Sequence, residues 1–70
     1  MNRTGVISKN LKSVGHEPLS ATLEVEFLDG KVYQYEKVPT SIFKSFLQAA
    51  SKGTYFAKEI KKKYTSKRVV

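Results

Sequence analysis

The chain has no cysteine and no tryptophan, and only one histidine, one methionine and two prolines among its 70 residues. Without cysteine there are no disulfides, no thiol nucleophile and no thiolate zinc site. A single histidine, His16, also leaves a nitrogen-ligated metal centre without partners. No apolar run approaches the ~18 residues of a membrane span. The opening Met1-Asn2-Arg3-Thr4 lacks the apolar core of a secretory signal. The expectation is a soluble cytoplasmic domain that uses neither membrane, metal nor cofactor. Its length fits one small domain, 1–70, with 1–5 and 66–70 as flexible ends. A chain this short buries only about 60% of its unfolded surface, which leaves no room for a deep small-molecule cavity.

Acidic residues are also scarce: six against thirteen Lys and Arg, a formal charge of +7. Residues 1–51 hold six basic and five acidic side chains, so the excess lies almost entirely further on. There Lys52, Lys58, Lys61, Lys62, Lys63, Lys67 and Arg68 face a single acid, Glu59. Such segregation predicts attraction to a polyanion.

What is present is patterned to fold. Leu23, Val25 and Phe27 alternate with Thr22, Glu24 and Glu26, the period of a half-buried strand. Asp29-Gly30 supplies turn chemistry, and Val32-Tyr33-Gln34-Tyr35 restarts a strand. A two-residue turn would pair Phe27 with Val32 and set both tyrosines beside the glutamates. A three-residue loop with Gly30 left-handed shifts the pairing by one and gathers Leu23, Val25, Phe27, Tyr33 and Tyr35 on one face. The second register separates polar from apolar side chains and is the one expected. An earlier strand covers Leu11 to His16, ended by Glu17-Pro18, while Gly5-Val6-Ile7-Ser8 either adds an edge or tucks under the sheet.

After Val38-Pro39 the period becomes helical. Ile42, Phe43, Phe46, Leu47 and Ala50 fall on one arc, with Pro39 suited to the first turn. Ser51 then caps a second helix in which Phe56, Ile60 and Tyr64 recur every four residues. Lys58, Lys61 and Lys62 lie away from that stripe, and Lys63 must snorkel outward beside it. The expected fold is α+β: a three-stranded antiparallel sheet followed by two helices packed on one face (β-β-β-α-α).

These residues together resemble the KTSC domain, a module named for its occurrence at the C-terminus of some lysyl-tRNA synthetases and found alone in small bacterial and phage proteins. The resemblance rests on Tyr33-Gln34-Tyr35 preceded by Leu-x-Val-x-Phe-x-x-Gly, here Leu23 to Gly30. It continues through Val38-Pro39, Ser51-Lys52-Gly53-Thr54-Tyr55-Phe56, Ile60 and Tyr64, and spans about Val6 to Arg68. His16 departs from the pattern, standing where a tyrosine is expected. The resemblance implies a stand-alone module, and the synthetase context suggests RNA as its partner.

Catalysis finds little support. His16 is a lone strand histidine with no placeable triad partner. Glu24 and Glu26 share a strand face about 7 Å apart, but a small sheet offers no cleft to raise a carboxyl pKa, so they read as solvated carboxylates. Tyr33 and Tyr35 read as core packing rather than as a base-stacking platform: in the expected register both rings point into the core beneath the helices, and in the other they would emerge between Glu24 and Glu26, whose charges repel a phosphate backbone. Ser51, Lys52 and Gly53 form a candidate anion site at a helix start, or an ordinary interhelix turn. The expected binding surface is the lysine face of the second helix, extended by Lys63, Lys67 and Arg68 and flanked by Tyr55. The expected function is therefore a monomeric, non-enzymatic, sequence-tolerant nucleic-acid (RNA) binding module. The alternative is docking on an acidic protein partner.

Overall fold

The structure, a computed structural model, describes residues 3–70. Five strands form one antiparallel sheet in the order β1-β2-β3-β4-β5: β1 (Thr4–Gly5), β2 (Leu11–Glu17), β3 (Thr22–Phe27), β4 (Val32–Tyr35) and β5 (Ser66–Arg68). Between β4 and β5 the chain forms α1 (Thr40–Gln48), α2 (Lys52–Tyr55) and a π-helical segment, Phe56–Ile60, that continues α2. The class is α+β with helices against one face, as expected. The three-stranded sheet is corrected to five strands. Both additions come from the segments expected as flexible ends. Thr4 and Gly5 pair with Val14 and Ser13 at one edge, and Ser66 to Arg68 pair with Tyr35 to Tyr33 at the other. Met1 and Asn2, part of the first of those segments, lie outside the described residues.

The hairpin takes the register that segregates its faces. Leu23 stands opposite Tyr35 and Val25 opposite Tyr33. The Phe27 N–H donates to the Lys31 carbonyl at 2.9 Å, and the Gly30 N–H to the Phe27 carbonyl at 3.0 Å. The loop is thus Leu28-Asp29-Gly30, with Gly30 at φ +92, a conformation that a Cβ disfavours.

β2 departs from simple alternation. Leu11 faces Phe27, yet Ser13 faces Glu26, so Lys12 is the extra residue of a β-bulge. The bulge lets Leu11 and Val14, an odd number of residues apart, both enter the core. Ser13 falls on the other face, where its hydroxyl donates to Glu26 at 2.9 Å.

The core joins Leu11, Val14, Leu23, Val25 and Tyr35 of the sheet to Val38, Phe46, Phe56 and Ile60 from the helical side. Ile42, Phe43 and Leu47 pack against it, as the helical arc predicts, whereas Ala50 lies beyond the end of α1. Pro39 stands one residue ahead of the first turn, as the N-cap. His16 packs at the boundary of sheet and helices: its Nε2 lies 2.7 Å from the Val38 carbonyl and its ring stacks on Phe43 at 5.2 Å. No helix among the described residues is long and apolar enough to cross a membrane.

Candidate nucleic-acid interface

The C-terminal cations do not share a single patch. Lys58, Lys61 and Lys62 are exposed on the second helix and the turn that ends it. Lys63 is committed to Glu59, one turn earlier, at 3.0 Å, and that carboxylate holds the lysine above its ordinary pKa. Lys67 stands opposite Gln34 on β5, so it belongs to the sheet face away from the helices. Arg68 stands opposite Tyr33 on the helix side, with its Nε donating to the Val70 carbonyl at 2.8 Å.

The candidate anion site closes the interhelix turn. Ser51 Oγ accepts the Thr54 N–H at 3.4 Å, capping α2, and bonds the Thr54 hydroxyl at 2.9 Å. Lys52 is half-buried and its ammonium donates to the Ala49 carbonyl at 3.3 Å, at the end of α1. Tyr55 is half-buried too, stacked on Phe46 at 5.8 Å.

A residue absent from the sequence-based set completes the cationic surface. The loop after β1 turns on Ser8, whose hydroxyl accepts the Asn10 N–H at 3.3 Å and the Leu11 N–H at 3.4 Å. The Asn10 carbonyl accepts the Leu28 N–H at 3.0 Å, tying this loop to the hairpin. Gly53 passes against the same loop: a Cβ there would lie 3.5 Å from Ser8 Oγ. The loop is thereby held beside the second helix with Lys9 exposed between them.

Loop and helix enclose a shallow trough. Its first stretch, ≈ 760 Å³, is lined by Lys9, Lys52 and Lys58 together with polar residues, Ile7 and two alanines, and among the described residues by no carboxylate. It shares Lys9, Asn10, Gly53 and Ala57 with a second stretch of ≈ 440 Å³, which reaches Lys61 and Asp29. That stretch in turn shares Phe27, Asp29, Phe56 and Lys61 with a notch of ≈ 380 Å³ near Tyr33 and Lys31. The three make one continuous path along the boundary of helix and sheet.

The glutamates of the sheet are engaged elsewhere. Arg3 lies 3.4 Å from Glu24 and 3.9 Å from Glu26, and Lys12 lies 3.9 Å from Glu26. Gln34 donates to Glu24 at 2.9 Å. Cations from the first 12 residues therefore offset the acids of the outer face. Among the described residues, Lys9, Lys58, Lys61 and Lys62 form no ion pair with a carboxylate. Such solvent-facing lysines act as point charges for phosphate rather than as geometric readers of bases.

Comparison with known proteins agrees with this architecture. The KTSC domain matches over residues 7–64. An uncharacterized protein of Stutzerimonas stutzeri is 41% identical over 56 residues, covering 80% of this chain and 79% of that protein. Lysine–tRNA ligases of Nostoc sp. and Nostoc punctiforme are each 43% identical, over 51 and 54 residues. The matched segments are only 9% and 10% of those enzymes. The crystal structure of a KTSC domain protein from Yersinia pestis superposes with a TM-score of 0.93 at 34% identity, covering 99% of this chain and 97% of that one.

Proposed function

The chain belongs to the KTSC domain family, and from that premise and the trough we propose that it is a non-enzymatic, sequence-tolerant nucleic-acid-binding module whose partner is RNA. The observation that carries this reading is the carboxylate-free stretch between the loop bearing Lys9 and the helix bearing Lys58. Lysines there neutralise phosphates and release counterions, which gives affinity with little preference for sequence. RNA is favoured because relatives of this segment lie within enzymes whose name states a tRNA substrate. Lys58 in this stretch and Lys61 in the adjoining one remain contacts expected from the sequence, and Lys9 joins them. Lys62, Lys63, Lys67 and Arg68 line neither stretch.

The test is a titration of the full chain with single-stranded RNA and tRNA across salt. Steeply salt-dependent binding, weakened when Lys58 and Lys61 are reversed to glutamate, supports the proposal. Binding that ignores salt or survives the reversal refutes it. A second reading, docking on an acidic protein, is favoured by Ile7, which is fully exposed at the trough rim. A partner retained after nuclease treatment would decide for that reading.

A further inference from the structure

At the far end of the trough the lining changes character. Phe27 and Tyr33 are half-buried there, above the buried rings of Tyr35 and Phe56. Phe27 meets Tyr33 edge to face at 5.7 Å and Phe56 at 5.6 Å, and Tyr35 meets Phe56 edge to face at 5.4 Å. These rings cross steeply, at 71° to 89°, so none of the three pairs stacks flat. The notch of ≈ 380 Å³ is large enough for a small planar ligand.

Its rim is cationic. Lys31 and Lys61 border it, and Arg68 stands opposite Tyr33 on the neighbouring strand. The one carboxylate among its described lining residues, Asp29, lies 3.7 Å from the Lys31 ammonium, which leaves Lys61 without an acidic partner among the described residues, while Arg68 is engaged by the Val70 oxygen. Ser66, beside the Tyr35 hydroxyl, adds a polar group at the wall. An aromatic floor, a half-open tyrosine and the unpaired Lys61 at the lip suit a ligand that is flat and aromatic at one end and anionic at the other. A nucleotide has that chemistry: the base meets the rings, and the phosphate meets the lip.

We propose that this notch receives one splayed base of the bound strand against Tyr33 and Phe27, with the adjoining phosphate on Lys61. The inference rests on the polyanion reading of the trough and adds to it a base-binding pocket without sequence preference, since every base offers a π-face. It also explains why Tyr33 stays half-exposed while Tyr35 is buried.

The experiment uses the full chain and watches the aromatic ring protons by NMR. Uridine 5′-monophosphate is expected to shift Tyr33 and Phe27, whereas ribose 5-phosphate moves only signals at Lys31 and Lys61. An RNA tetranucleotide should bind about tenfold more tightly than its fully abasic counterpart. Tyr33→Leu should remove that advantage and Tyr33→Phe should keep it. Equal affinity for intact and abasic strands, both salt-dependent, overturns the notch and leaves the trough standing. Loss of binding by every strand overturns the trough and, with it, a base delivered to the notch by a bound strand. Identical responses to the nucleotide and the sugar phosphate overturn the notch whether or not the variants fold.

Discussion

Replacing Lys61 with glutamine removes the one cation shared by the middle of the trough and the aromatic notch. The structure sets the size of the effect. Lys63 is engaged by Glu59, Lys52 by the Ala49 carbonyl, and Lys67 lies on the far sheet face. Three lysines of the trough, Lys9, Lys58 and Lys61, are left to meet phosphates. At about 0.7 per phosphate on a single strand, log Kd should change against log salt with a slope of about 2. That is a loss of about 20-fold in affinity between roughly 50 and 200 mM salt. Lys61→Gln should lower the slope by about 0.7, and Lys67→Gln should leave it unchanged. Fluorescence anisotropy with a labelled RNA oligonucleotide measures both. If the two variants lower the slope equally, binding follows net charge and the trough has no special role.

Other outcomes follow from the packing. Phe46 has no exposed surface and touches both Tyr55 and Phe56, so Phe46→Ala should cost about 3–5 kcal/mol. Against a total of about 4–10 kcal/mol for a chain of this size, its melting temperature should fall by more than about 12 °C; calorimetry showing a drop under about 5 °C would contradict the assigned core. Gly30→Ala meets no atom within 4 Å, so its cost is backbone strain alone, about 1–2 kcal/mol in urea unfolding. An unchanged midpoint would contradict the left-handed turn. Burial pushes the Tyr35 hydroxyl above its ordinary pKa, opposed in part by Ser66. Its folded pKa therefore exceeds the unfolded value of about 10, so its contribution is intact below that pH and is lost as pH rises toward the folded value. Tyr35→Phe should flatten this alkaline decline in denaturation curves, and an unaltered decline would assign it to other groups.

Much of this architecture was legible because local chemistry and long-range packing agree. In the hairpin, only the Leu28-Asp29-Gly30 loop puts Tyr33 and Tyr35 on the face of Leu23 and Val25, so polarity alone selects the register. The four-residue spacing of Phe56 and Ile60 likewise marks the inward side of the second helix, whereas Tyr64, expected on the same stripe, follows the turn that ends the helix and packs at the core's edge. That spacing does not reveal the π-turn, in which the Lys61 N–H reaches back five residues to the Phe56 carbonyl at 2.8 Å. β5 was illegible for a different reason. Ser66-Lys67-Arg68 shows no apolar alternation and joins the sheet through backbone pairing with the open edge of β4. The bulge at Lys12 is a one-residue insertion that no periodicity announces.

The candidate site was legible in composition but not in shape. Charge segregation singled out the C-terminal lysines. It could not separate Lys61, at the trough, from Lys67, on the opposite face, because that difference is set by the pairing of β5. Nor could it find Lys9, which reaches the second helix only because Ser8 and Asn10 fix its loop against Leu11 and Leu28.

Backbone chemical-shift mapping of the full chain with a short single-stranded RNA decides whether the trough is the binding surface, because it reports occupancy and location together. The largest perturbations should run along Lys9, Asn10, Gly53, Ala57 and Lys61, with Glu24, Gln34 and Lys67 quiet. Perturbations confined to Glu24, Gln34 and Lys67, or none at saturating RNA, would contradict the proposed surface.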